Sequence, residues 1–240
     1  MDTALTEISL QGLVVAVLPV AIVIGIMIRW SVGAPTAIYA TLRMLIQLLL
    51  IGYVLVYIFD SDRPVFIMAV LALMLAVASW IAIRPLHNKQ LRTYLNALGA
   101  ISVAGILTLA LVSQVVIGVE PWFSPRYVVP LAGMIFSGAM NTVSLAGERL
   151  QSEYDRGTPY LESRRIAFQA SMIPITNSLF AVGLVALPGM MTGQILSGVS
   201  PLVAVKYQIV VMTMLFGASG ISAAVYLVLA RRGLRKAVIQ

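Results

Sequence analysis

Seven apolar runs, each about as long as a bilayer is thick, dominate this chain of 240 residues. They read at about 10–28, 36–59, 65–83, 94–117, 127–147, 168–187 and 202–229. A spanning helix needs about 20 predominantly apolar residues. Within lipid, only helices and closed barrels satisfy every backbone polar group. The expected fold is therefore all-α: a polytopic membrane protein with about seven transmembrane helices, forming one transmembrane domain over 1–240. The sixth run is the weakest, because Gln169, Pro174 and Asn177 interrupt it. Composition agrees. Hydrophobic residues make up 60% of the chain and charged residues 10%, against about 25% charged in soluble domains. Too little polar surface remains to face water, and disorder needs the opposite balance.

The net charge of +7 would suit nucleic acid if the basic residues formed a stripe. Instead they cluster between apolar runs, the pattern of membrane topology. Alternate connections hold Arg29; Arg84, Lys89 and Arg92; Arg149, Arg156, Arg164 and Arg165; and Arg231, Arg232, Arg235 and Lys236. The other side holds Arg63 and Arg126, with Lys206 near the outer end of the last span. Twelve against three of the 16 basic residues predicts an outside N-terminus and a cytoplasmic C-terminus. The chain has no Cys, so disulfides and thiolate metal sites are excluded. No basic segment precedes the first apolar run, so no cleaved signal peptide is expected.

All nine acids lie outside the runs. Ion-coupled transporters commonly place carboxylates inside the membrane, so their absence argues against an ATP-independent secondary transporter. That reading, or a channel, is the alternative to an ATP-driven one. Arg43 is the one clear charge inside a run, at a cost of at least about 2.5–3.5 kcal/mol. It lies roughly 10 Å from the cytoplasmic end, within reach of a snorkelling side chain. Gln47 follows at i+4 and shares its face. The pair either faces a pathway or is structural. Asn141 and Ser144 in the fifth run, and Thr176, Asn177 and Ser178 in the sixth, either line a pathway or bond across helices. Pro188, Gly189 and Gly193 predict a break in the sixth helix near its outer end. A break beside a pathway must have its freed backbone groups covered or wet; a plain outer loop is the other reading. Gly189/Gly193, Ala218/Ser222 and Ser219/Ala223 have the small-x-x-x-small spacing of close helix pairs.

The connection at 148–167 stands apart on the cytoplasmic side, either as a docking surface for a protein partner or as a solvated loop with its own ion pairs. From Glu148 to Arg165, eight of eighteen residues are charged, with both signs present. Gly157 and Pro159 should divide it into two short helical pieces suited to a polar protein partner. Glu153, Asp155, Arg156, Gly157, Thr158 and Arg165 are the candidate contacts. The chain has no G-x-x-x-x-G-K-[ST], so ATP would have to be hydrolysed by another polypeptide. Gly217-Ala218-Ser219-Gly220 matches a serine-protease spacing, but the chemistry needs a nearby His. The only His, His87, lies in a connection. The twelve Met residues scatter over most runs, as flexible apolar filler does. No catalytic residue is assigned, and no metal ligand can be named.

Three blocks carry a resemblance. The first is 42–48, continuing to 52–55 around Arg43 and Gln47. The second is 130–135 with Asn141 and 143–145. The third runs 182–196 through Leu187-Pro188-Gly189-Met190-Met191-Thr192-Gly193, then 204–209 with Lys206. Together, and in matching order, they resemble the ABC-transporter permeases that include a bacterial iron-export permease and plant aluminium-tolerance permeases. The resemblance implies a multi-pass permease of the cytoplasmic membrane that is not itself an enzyme. It would bind no cofactor, with ATP and Mg held by a separate ABC ATP-binding subunit. Two permeases would pair with two such subunits. Export of a small solute, a metal ion among the candidates, is implied in the same way. This chain departs from the family pattern in three places. The coupling loop is shorter, with only Gly157-Thr158-Pro159 resembling its core. Asn177 and Phe180 stand where relatives carry Asp and Lys, and Gly138 stands where they often carry Asn.

Overall fold

The computed structural model describes residues 8–60, 63–87 and 89–237, without the side chains of Leu10 and of residues beyond Arg231. The readings on the first seven residues and on the side chains of Arg232, Arg235 and Lys236 lie outside the described residues. The helices are α1 (Leu10–Ala16), α2 (Leu18–Arg29), α3 (Ala34–Phe59), α4 (Pro64–Ala82), α5 (Leu91–Ala110), α6 (Pro125–Asp155), α7 (Tyr160–Ala181), α8 (Gly189–Leu196) and α9 (Pro201–Ala237). A π-helical segment, Leu111–Ile117, continues α5. Among the described residues, six stretches are long and apolar enough to cross a membrane: Gln11–Arg29, Ala34–Phe59, Pro64–Ala82, Leu91–Ile117, Pro125–Asp155 and Pro201–Arg231. The seventh helix of spanning length is α7, with 22 residues. Its charged start and polar Gln169 and Asn177 dilute its apolar character, and it occupies the place of the weak sixth run. The all-helical, multi-pass architecture is the one the apolar runs predict.

The helices form two compact units, one up to Asp60 and one after it. In the first, Pro19 sits at the start of α2. It has no N–H to donate, so the helical ladder breaks at Val17 and one apolar run becomes α1 and α2. The Ser9 hydroxyl caps α1 by accepting from the Gly12 N–H at 3.1 Å. Gly33, with φ +57°, leads into α3, a conformation that costs glycine little.

In the second unit, α6 is central and packs against α4, α5, α7 and α9. Ala132, Ala139 and Ala146 recur every seven residues along it and are fully buried. Ala97, Ala100 and Ala104 on α5, and Ala218 and Ala223 on α9, are buried as well. Lipid tails are as apolar as leucine, so membrane helices associate through close van der Waals contact, which small residues permit. The approach is closest at two glycines. A Cβ on Gly105 would lie 2.7 Å from the Phe136 ring, and one on Gly147 would lie 2.9 Å from Leu86. Ala218/Ser222 and Ser219/Ala223 are buried as their spacing suggested. Gly189 and Gly193 form no packing seam among the described residues: a Cβ on either would meet none of their atoms within 4 Å.

Two boundaries differ from those expected. The sixth helix breaks at Val182, earlier than the Pro188–Gly193 stretch. Val182 turns extended, Gly183 takes φ +84°, and the Gly183 N–H closes a tight loop onto Ala186 O at 3.0 Å. Pro188 then caps a new helix, α8, in which Gly189 and Gly193 lie. Pro fits there because the first N–H groups of a helix have no partner to lose. The charged connection also holds no separate short helices. Its charged residues extend two long helices, leaving only Arg156–Pro159 as the turn.

Candidate functional site

The turn between α6 and α7 is built by its sequence. At α6's end the Gly157 N–H donates to Tyr154 O at 3.0 Å, and the Thr158 N–H donates to Glu153 O at 3.2 Å. This is the double bond pattern of a Schellman C-cap, which requires a left-handed residue after the helix. Gly157, with φ +87°, supplies it. Pro159 stops any continuation and precedes α7. Ser163, fully buried, donates from its hydroxyl to Thr158 O at 3.0 Å and ties the turn down from the other side.

Glu153 is the electrostatic centre of this turn. It is 8% exposed and lies near the C-terminus of α6, where the helix dipole disfavours an anion. Three donors compensate. Arg149 Nη2 lies 2.7 Å from its Oε1, Arg156 Nη1 lies 3.8 Å from the same oxygen, and the Thr158 hydroxyl reaches Oε2 at 3.5 Å. Glu153 thus holds the turn from inside, whereas Asp155, Arg156 and Arg165 are exposed.

Substituting Val for Gly157 forces a β-branched side chain into left-handed backbone, at a cost of about 1–2 kcal/mol or more. Detergent-solubilised Gly157→Val should unfold at lower temperature than wild type, while Gly157→Asn, which tolerates this conformation, should stay close to it. Equal melting of all three would show that the cap does not fix the turn.

Contacts gather the basic connections on one end of the second unit. The His87 N–H donates to Gln151 Oε1 at 3.2 Å, tying the α4–α5 connection to α6. The Tyr160 hydroxyl donates to Leu227 O at 2.8 Å, tying the start of α7 to α9. Arg231 lies 5.4 Å from the Tyr160 ring centre. Three clusters that the charge distribution assigned to one side are thus joined by direct contacts.

The pathway candidates are dispersed. In the first unit, the Gln47 amide oxygen accepts from Arg43 Nε at 3.1 Å and Nη2 at 3.3 Å once the amide is oriented by its hydrogen-bond network. The polar pair predicted from the i+4 spacing therefore exists. In the second unit, Asn177 lines a groove of about 640 Å³ between α7 and α9, with Gln169 and Thr176 as its other polar side chains. Ser178 instead donates to its own helix, at Pro174 O, 3.0 Å away. Asn141 is exposed on α6, outside that groove.

A second cavity, of about 450 Å³, opens at the end away from the charged turn. Arg126, Tyr127, Met134, Met190, Gln194 and Tyr207 are among its lining residues. Gln194 Oε1 is buried there without a hydrogen-bond partner among the described residues. Pro188 caps the helix that carries Met190 and Gln194. Gly189, Gly193 and the exposed Lys206 border this region without lining it. The sequence reading missed Gln194, a single amide in an apolar stretch with no spacing to mark it. It also missed Tyr160, whose importance depends on α9 arriving beside it. Among the described residues no cluster of three His, Asp or Glu could hold a metal ion.

About seven helices of spanning length, packed through small residues, define a multi-pass integral membrane protein. The chain belongs to the uncharacterised protein family UPF0014, which it matches over residues 10–164 and 156–234. The two matched stretches overlap at residues 156–164, the α6–α7 turn and the start of α7. A UPF0014 membrane protein of Synechocystis is 42% identical over 189 residues, covering 71% of each chain. The Escherichia coli "Probable iron export permease protein FetB" is 35% identical over 211 residues, covering 81% of this chain and 76% of its own. The Arabidopsis thaliana "Protein ALUMINUM SENSITIVE 3" is 32% identical over 200 residues, covering 77% of this chain and 72% of its own. No solved structure matches.

Proposed function

We propose that this chain is the membrane-spanning permease subunit of an ABC transporter, powered by a separate ATP-binding subunit. The observation that carries the reading is the α6–α7 turn. It is rigidly capped and mixed in charge, and it continues two helices without a flexible joint. α6 is 31 residues long, about eleven more than a bilayer needs, so a push on the turn would be transmitted along the helix into the bundle. The chain has no P-loop, so ATP-driven work would have to come from such a partner, and the E. coli relative is named as a permease. The basic face carrying the turn would be cytoplasmic. Two permeases and two ATP-binding subunits would form the working unit. The α7–α9 groove around Asn177 and the cavity around Gln194 are the stations offered to a small solute. A metal ion is the first to test, in the export direction.

The test is reconstitution. Proteoliposomes holding the permease and an ATP-binding subunit encoded beside it should move solute only with ATP, and the right solute should stimulate hydrolysis. Transport by the permease alone without ATP would establish the channel or secondary-transporter reading instead.

A further inference from the structure

We infer that the end of the α7–α9 groove at the charged turn is a binding site for an anionic phospholipid. This goes beyond the transport reading and depends on it only for which leaflet supplies the lipid. A pocket of about 460 Å³ lies between the two helices, with Leu161, Phe168, Leu227 and Val228 as its apolar wall and Arg164 and Arg165 at its edge. Phe168 also lines the larger groove around Asn177, so the apolar surface continues inward along the same two helices. Such a trough fits an acyl chain better than a water-soluble anion.

The charge at its edge is unbalanced. The Tyr160 ring gathers Arg164 and Arg231, whose guanidinium carbons lie 5.8 and 5.4 Å from its centre. The hydroxyl of the same residue is fixed on Leu227 O, so the aromatic platform is anchored to both walls of the groove. Neither Arg164, Arg165 nor Arg231 forms an ion pair among the described residues; the ion pairs there belong to Glu153. Cations gathered around one aromatic ring concentrate positive charge, which a phosphate offsets while accepting planar guanidinium hydrogen bonds. Basic pockets between membrane helices at the cytoplasmic boundary take acidic headgroups for this reason. The occupant is thus a headgroup phosphate on the arginines with its chain along Leu227 and Phe168.

The full-length protein, purified in detergent, is titrated with phosphatidylglycerol and with phosphatidylcholine of the same chains, and retained lipid is counted by native mass spectrometry. Wild type should retain phosphatidylglycerol preferentially. Removing two headgroup cations in R164Q/R231Q should weaken that binding by about thirtyfold, whereas K89Q/R92Q, which removes two basic residues elsewhere on the same face, should not. A224W, which fills the groove, should displace the lipid with all arginines intact. Equal retention of the two lipids by wild type would overturn the site, as would unchanged retention in R164Q/R231Q. Glycerol phosphate binding as tightly as the lipid would make it a soluble-anion site. A disulfide between two copies carrying A224C, with no lipid retained, would assign the groove to a second copy.

Discussion

R156E/R165E should remain in the membrane and, on the proposed permease reading, no longer copurify with an ATP-binding subunit. Both side chains are exposed at the α6–α7 turn, so neither is needed to pack the bundle. Ten basic residues would remain on the basic side against three on the other, enough to keep the topology. The reversal joins two new acids to the exposed Glu148, Asp155 and Glu162 and turns a mixed surface into an acidic one. Like charges set against each other across an interface cost on the order of several kcal/mol, enough to lose a complex during washing. Arg126→Glu, at the opposite end, should copurify normally. The single variants separate two roles: Arg156 lies at the turn itself, whereas Arg165 also edges the lipid groove. Full copurification of the double variant would move the docking surface off this turn.

A second large effect is expected inside the bundle. At Gly105 a single added carbon would already sit 2.7 Å from the Phe136 ring, with Ile135 3.5 Å away on the same helix, α6. Overpacking a well-packed core typically costs about 1–3 kcal/mol, occasionally more. A leucine adds three further carbons where the helices touch, so Gly105→Leu should fall at or beyond the top of that range and sharply reduce the amount of folded protein in membranes. Gly193→Leu, where a Cβ meets open space, should accumulate normally. Detergent-resistant, monodisperse protein by fluorescence-detected gel filtration is the measurement. Comparable loss at Gly193 would mean that α8 is covered by another subunit. Comparable accumulation at Gly105 would contradict the observed α5–α6 packing.

The contrast between these glycines shows where sequence reasoning stops. Gly189 and Gly193 stand four apart and look like a helix-packing motif, yet among the described residues nothing lies within 4 Å of a Cβ on either. Gly105 and Gly147 carry no motif and are where helices meet most closely. Spacing along one helix describes only that helix's face; contact also needs a partner with a complementary bulge, here Phe136 and Leu86. The break in the sixth helix was misplaced for a similar reason. Pro188 and Gly189 are strong local signals, but Pro is equally at home starting a helix, and Gly183 supplied the turn seven residues after Thr176.

The sequence by itself determined the all-helical membrane fold, because apolar length is a one-dimensional property that lipid enforces on each segment separately. It determined the Arg43–Gln47 pair and the turn at Gly157 and Pro159, since both depend on neighbours within one helical turn. It also resolved the family, through blocks that keep their order. Only the tertiary structure decided that Glu153 is the buried anchor of the turn while Asp155 and Arg156 are its exposed charges. The same is true of Tyr160 gathering Arg164 and Arg231, and of Asn177, not Asn141, entering a groove. Each of these depends on which faces of distant helices meet, and in lipid that choice rests on small differences in close packing between surfaces that are nearly equally apolar.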